Sequence, residues 1–223
     1  MNLDYIFPTP VWWTDLNLDI NAMQDICYGI AETMEGKARS NRGLLNYQSP
    51  DFMGEQIIED YEKNPDEFGR LLIEIKKNAL DCYTTYGPMS TELEFANVWI
   101  NMNNKGGYNE VHTHPGCIMS GVYYVKVPPE GECGQISFHR DSMDAYLLHS
   151  LGVAEDMSMG EAPHCSATWS YPPIENRLFV FPAWLSHGVR ENLTDEDRIS
   201  ISFNLVSKRT KTDMLQIVKN NAK

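Results

Sequence analysis

The sequence predicts a mostly β fold, an antiparallel sandwich or barrel with α-helices covering one face. Three observations carry this. From Glu92 onward polar and apolar residues alternate with period two. Six or more short runs of that kind are separated by turns such as "PPEGECG". Helical periodicity is confined to the residues before about position 90.

Between Asp19 and Gly36, Met23, Ile26, Cys27, Ile30 and Met34 recur at spacings of three and four, which predicts a helix that Gly36 stops. A second helix is expected from about Pro65 to Tyr86, where Phe68, Leu71, Leu72, Ile75, Ala79, Leu80 and Tyr83 form one apolar stripe. A polar loop with "SNRG" and "YQSPDFMG" separates them. In "FANVWINMN", Asn97, Trp99, Asn101 and Asn103 share one face of a strand and Ala96, Val98, Ile100 and Met102 the other. "RISISFN" repeats the pattern, with Arg198, Ser200, Ser202 and Asn204 opposed to Ile199, Ile201 and Phe203. "CIMSGVYYVKV", "GQISFH" and "RLFVFP" are further strand candidates.

The polar faces admit two readings. A half-exposed sheet turns them to water, whereas a barrel whose apolar faces are covered by helices turns them into a wet cavity. The stretch from Asp141 to Asn176 lacks periodicity and is long for a loop, so it reads as a lid or substrate-contacting insertion, or as a plain excursion.

At 223 residues the chain is expected to form one domain over 1–223. Residues 1–90 would be mainly helical support, 91–206 the β core, and 141–176 the insertion. A net charge of −13, from 31 acidic and 18 basic residues, argues against nucleic acid as the main partner. No run reaches the roughly 20 apolar residues of a membrane span, and no basic region precedes an apolar stretch at the start, so a cytoplasmic location is expected. The five cysteines are an odd number without C-x-x-C spacing and suggest neither a disulfide framework nor a thiolate zinc site.

The chemistry-bearing segment is "GGYNEVHTHPG", residues 106–116. On a strand, His112 and His114 would project to the same side and aim two imidazoles at one point. An isolated H-x-H fits ordinary surface or core histidines at least as well as a metal pair. A third histidine, His187, follows an apolar strand in "FPAWLSHGVRENLTDEDRIS" and precedes Arg198 of an R-x-S by eleven residues. Three such ligands would occupy one face of a metal and leave the other open. An arginine on the next inward-facing strand would offer a planar fork to a carboxylate, with Ser200 beside it.

The order H-x-H, "GVYY", distal histidine, R-x-S resembles the iron(II)- and 2-oxoglutarate-dependent oxygenases of the double-stranded β-helix (jelly roll, cupin-like) fold. More narrowly, "SGVYYV", "FPAWLSHGV…RISISFN" and the opening "IFPTPVW" are similar to a family of small 2OG-Fe(II) oxygenases of bacteria and phages, so the resemblance spans nearly the whole chain. It implies His112, His114 and His187 as Fe(II) ligands, with Arg198 and Ser200 receiving the far carboxylate of 2-oxoglutarate. "GVYY" resembles the prolyl-hydroxylase strand whose second tyrosine also reaches that carboxylate, which makes Tyr124 a further candidate; Tyr123 points the other way. Trp99 and Asn101 are cavity-lining or core candidates, and Asn109 an orienting or turn residue.

The implied activity is oxidation by O2, releasing succinate and CO2 and hydroxylating a C–H bond of a protein side chain or small molecule. The wider family has Asp or Glu where this chain has His114. Either His114 replaces the carboxylate, or Glu110 or Asp141 completes the ligand set, or the protein is a three-histidine dioxygenase that uses no 2-oxoglutarate. R-x-S speaks against the last. A cupin-like metal- or ligand-binding module is the non-enzymatic alternative. The opening "YIFPTPVWW" could pack within the barrel or across a homodimer.

Overall fold

The structure is a computed structural model and describes residues 8–34, 46–52, 65–85, 92–140 and 167–208. Two helices, α1 (Ile20–Thr33) and α2 (Glu67–Thr84), accompany ten strands. The strands are β1 (Trp12–Asp15), β2 (Asn46–Gln48), β3 (Leu93–Asn103), β4 (Asn109–His112), β5 (Met119–Lys126), β6 (Ile136–His139), β7 (Thr168–Tyr171), β8 (Arg177–Pro182), β9 (His187–Val189) and β10 (Arg198–Ser207). The larger sheet has the order β1-β8-β5-β10-β3-β2 and the smaller one β4-β9-β6-β7, with antiparallel pairing throughout. From β3 onward the chain passes back and forth between the sheets, which is the jelly-roll path of a double-stranded β-helix.

Asp19 caps α1, its carboxylate accepting the amides of Asn21 and Ala22 at 3.0 and 3.1 Å. Asp66 caps α2 through Gly69 at 2.8 Å. The two helices bury Met23, Cys27, Leu71, Leu72, Ile75 and Ala79. Those side chains meet Val98 and Ile100 of β3 and Ile199, Ile201 and Phe203 of β10 in one core on the outer face of the larger sheet. A second apolar cluster, with Val122, Ile136, Phe138, Phe179 and Phe181, lies on β5, β6 and β8.

Several boundaries differ from the sequence reading. The helices are shorter, ending at Thr33 and Thr84, and Gly36 lies outside the described residues. The first third is not purely helical, because β1 and β2 add the two edges of the larger sheet. Both are short runs with weak alternation, and their partners β8 and β3, not local propensity, make them strands. Residues 168–171, within the stretch read as aperiodic, pair with β6 as β7; residues 141–166 are outside the described residues. In the opening segment Trp12 packs against the main core, while exposed Trp13 is covered by the Arg177 guanidinium at 4.1 Å. The four described cysteines are free. No helix among the described residues is long and apolar enough to cross a membrane.

Gly121 of β5 sits where no side chain fits. A Cβ there would run into the Phe203 ring and the Phe179 carbonyl. Gly121→Ala is therefore expected to cost about 1–3 kcal/mol, the usual penalty for overpacking a filled core. Denaturant unfolding checks this, and a midpoint equal to that of the unchanged protein would contradict the packing described.

Candidate active site

The polar faces of β3 and β10 turn inward. Together with β4, β5, β6 and β9 they line a cavity of about 420 Å³ that contains His112, His114, His187, Tyr124, Arg198 and Ser200. Asn97, Trp99, Asn101, Ser202 and Asn204 lie on the same wall, so the alternation marks a cavity and not a solvent face. Antiparallel register sets Ser200 opposite Asn101 and Ser202 opposite Trp99. Two sheet positions that are distant in sequence thus become one surface.

The three histidines meet at one end. Their ligand atoms lie within 4.8 Å of one another, and ring centroids are separated by 4.5 Å (His112–His187), 4.8 Å (His112–His114) and 5.2 Å (His114–His187). His112 and His187 face each other across the β4–β9 ladder. Each is oriented the same way: His112 Nδ1 lies 2.6 Å from the Glu110 carbonyl and His187 Nδ1 2.8 Å from the Leu185 carbonyl. A ring nitrogen beside a carbonyl must donate, so Nε2 of each carries the lone pair a metal needs. Burial foremost, with the neighbouring histidines, lowers the pKa of His187 to about 3, against the raising effect of its hydrogen bond to Leu185. The ring is therefore neutral at pH 7 and able to ligate.

His114 reaches the cluster differently from the strand geometry expected for an H-x-H. β4 ends at His112, and His114 lies just beyond it, held by its backbone amide on the Ala183 carbonyl at 2.9 Å. Its ring sits 6.1 Å from that of Trp99. Among the described residues no carboxylate joins the three histidines, and Glu110 contributes its carbonyl to His112. Asp141 is outside the described residues.

The other end of the cavity holds Arg198, which is 1% exposed. Its Nη1 donates to the carbonyls of Cys133 and Gly134 at 2.6 and 3.0 Å, and its Nη2 to Asn103 Oδ1 at 2.8 Å. Gly134, at φ +88°, allows this approach, since a Cβ would collide with Nη1 itself. Among the described residues Nε has no partner, and neither has the hydroxyl of Tyr124, also 1% exposed. Burial pushes the Tyr124 pKa up to about 12, so it remains a hydroxyl and a donor. The two carbonyls and Asn103 Oδ1 leave Nε–H and one Nη2–H free, the side-on edge that grips a carboxylate with two parallel bonds. A buried guanidinium held only by neutral acceptors is a costly arrangement, and an anion in the cavity resolves it. Three convergent imidazoles at one end and a buried cation with an idle Nε–H at the other fit a divalent metal and a dicarboxylate.

The remaining candidates separate clearly. Tyr123 packs in the main core and donates to Asn176 Oδ1 at 2.6 Å. Asn109 lines the cavity, but the Glu110 carbonyl is what orients His112. His139 stands outside the cluster with Nδ1 3.2 Å from Thr168 Oγ1. His149 and His164 lie outside the described residues. Sequence reasoning missed Asn103 and the Cys133–Gly134 carbonyls that fix Arg198. Alternation placed Asn103 on the correct face, but nothing in the sequence marks a backbone carbonyl as an arginine clamp.

Residues 97–204, which carry the cavity, match the family described as "Putative 2OG-Fe(II) oxygenase". No curated protein matches the sequence. Among solved structures the chain is similar to the non-heme alpha-ketoglutarate-dependent epimerase SnoN from nogalamycin biosynthesis, at 14% identity and a TM-score of 0.61 over 89% of this chain and 77% of that one. It is also similar to HygX from Streptomyces hygroscopicus, solved with nickel and 2-oxoglutarate, at 12% identity and a TM-score of 0.55 over 90% and 84% of the two chains. A Pseudomonas putida prolyl-4-hydroxylase aligns at 11% identity and a TM-score of 0.56 over 88% and 92%. The fold is that of the double-stranded β-helix oxygenases. Over residues 97–204 the chain resembles the 2OG-Fe(II) oxygenase family.

The burial of His187 carries a pH dependence. Its folded pKa, about 3, lies below the ordinary 6.5, so between these values the unfolded chain binds more protons. The stability it contributes is fully present above about pH 6.5 and is lost as pH falls toward 3. Chemical unfolding of the metal-free protein should therefore show ΔG falling with pH across this window, by up to about 1.4 kcal/mol per unit more than in His187→Gln. Parallel slopes for the two proteins would contradict it.

Proposed function

We propose that the chain is an iron(II)- and 2-oxoglutarate-dependent dioxygenase in which His112, His114 and His187 hold the iron and Arg198, Ser200 and Tyr124 receive the 5-carboxylate of 2-oxoglutarate. The observation that carries this reading is the buried Arg198, its side-on edge idle, at the far end of the cavity that the three histidines close. Iron with 2-oxoglutarate supplies oxidative decarboxylation to succinate and CO2, coupled to hydroxylation of a substrate C–H bond.

The chain's own residues set the conditions. Arg198 donates through Nε and Nη2 to the two carboxylate oxygens, and Tyr124 and Ser200 add hydroxyl donors. Val122, Ile136 and Phe181 give the cavity an apolar wall, which lowers the local dielectric and strengthens polar contacts made inside it. Glu110 and Leu185 hold the imidazoles of His112 and His187 with Nε2 forward. Gln48, Ser49, Asp51 and Trp99 line the cavity too and would meet the primary substrate, a protein side chain or a small molecule. We further propose a single catalytic domain over 1–223, with residues 141–176 contributing to substrate access, a cytoplasmic location, and no nucleic-acid partner.

The all-histidine set favours one rival, a three-histidine dioxygenase that uses no 2-oxoglutarate, and Arg198 separates the two. With iron and ascorbate the protein should convert 2-oxoglutarate to succinate. His187→Ala should abolish iron-dependent turnover. Arg198→Ala should raise the 2-oxoglutarate concentration needed for half-maximal rate by roughly ten-fold or more, because a lost bidentate contact is chiefly a loss of binding. No succinate formation and no 2-oxoglutarate binding would remove the enzyme reading, and unchanged 2-oxoglutarate affinity in Arg198→Ala would remove Arg198 from its role.

A further inference from the structure

His112 and His187 meet backbone carbonyls at Nδ1, whereas His114 Nδ1 meets a side chain. That side chain is an amide: Asn204 Nδ2 stands 3.3 Å away. The same Nδ2 donates to Asn97 Oδ1 at 2.7 Å, and Asn204 Oδ1 accepts from the Ser120 hydroxyl at 2.6 Å. Asn204 and Ser120 are buried, and register on β10 sets Asn204 directly between Asn97 of β3 and Ser120 of β5.

The polarity of that contact matters. An amide nitrogen can only donate, so the hydrogen bond to His114 exists only when Nδ1 is the acceptor. A neutral ring accepting at Nδ1 carries its proton on Nε2 and cannot ligate through Nε2. Ligation through Nε2 puts the proton on Nδ1, which then needs an acceptor. Turning the Asn204 amide over brings Oδ1 to that proton. It also points Nδ2 at Ser120 Oγ, which can accept as readily as donate, and asks Asn97 to present its own amide nitrogen.

We propose that Asn204 is the positioning residue for His114, and that metal loading turns its side-chain amide over, with Ser120 and Asn97 reversing their hydrogen bonds in step. This rests on the reading that His114 is a metal ligand. No atom moves far and no proton leaves the network: the His114 proton passes from one ring nitrogen to the other by exchange with water, and the three polar side chains remain paired in both states. Asn204 thereby does for His114 what the Glu110 and Leu185 carbonyls do for the other two rings, but with an acceptor that must be switched on.

The test is Co(II) binding followed by visible absorption and calorimetry, without 2-oxoglutarate, on the full-length protein and on Asn204→Asp, Asn204→Leu and His114→Ala. A carboxylate always accepts, so Asn204→Asp should bind Co(II) as tightly as the unchanged protein or more so. Asn204→Leu should weaken binding by roughly 10- to 100-fold, the usual cost of losing a partner that orients a ligand. Nitrogen-15 imidazole NMR gives a readout that needs no variant: His114 Nδ1 should be unprotonated in the metal-free protein and protonated with Zn(II) bound.

Equal Co(II) affinity in a folded Asn204→Leu, ten-fold weaker binding in Asn204→Asp, or a protonated Nδ1 in the metal-free protein would each overturn the proposal. If His114→Ala binds Co(II) as well as the unchanged protein, the three-histidine centre itself falls. If His114→Ala loses the metal while Asn204→Leu keeps it, only the role of Asn204 falls.

Discussion

The site is organised around a buried guanidinium whose hydrogen-bond acceptors among the described residues are all neutral. Arg198 sits at the start of β10, and every neutral acceptor that holds it arrives from elsewhere: Asn103 from β3, and two successive carbonyls from the loop between β5 and β6. A cation this deep is tolerable only when its hydrogens are spoken for. Here some are and some are not. The part that is satisfied fixes the orientation of the fork, and the part that is not faces a cavity with an idle tyrosine hydroxyl. Burial drags the guanidinium pKa down but leaves it charged, so the cavity keeps a standing demand for an anion.

Holding that charge in place requires the rest of the molecule. Residue 197, immediately before Arg198, is tied to α1 and β5 at once: Asp197 accepts from Lys126 Nζ at 2.6 Å and from the Tyr28 hydroxyl at 2.6 Å. Asn192 ties the incoming loop to the Asn103 carbonyl at 2.8 Å. The helical first third therefore does two things. It covers the apolar face of β3 and β10, which forces their polar face inward, and through Tyr28 it braces the strand end that carries the arginine. A sheet with this alternation and no helices would turn the same asparagines and serines to water.

How much of this could be read from the chain follows from the range of the interactions. Alternation is local, and it placed Asn97, Trp99, Asn101, Arg198, Ser200, Ser202 and Asn204 on one wall. The two helical stripes were equally local, and Asp19 and Asp66 cap their first turns. The metal-ligand candidates were legible because three of only six histidines sit in motif-like contexts. Strands β1, β2 and β7 were not legible, since each is three or four residues long and exists through its partner. His114 illustrates the limit most sharply. Its convergence with His112 was expected from strand geometry, but β4 stops first, and a contact with the Ala183 carbonyl, 69 positions away in sequence, delivers the ring.

The absent carboxylate then becomes a question of charge. With aspartate in the second position, a divalent metal, a dianionic co-substrate and one arginine sum to zero. Three neutral imidazoles would leave the same assembly one unit positive, in a cavity whose lining among the described residues includes one acidic side chain, Asp51. In a low-dielectric pocket that unit would be worth more than in water; with iron held by the three histidines it would favour the anionic co-substrate and the lower oxidation state of the metal. A hydrogen bond from Nδ1 of an imidazole ligand to an amide oxygen returns electron density to the ring without adding a formal charge. An asparagine behind His114, where a family member with a carboxylate ligand would need no such acceptor, is therefore the partner that a three-histidine set calls for.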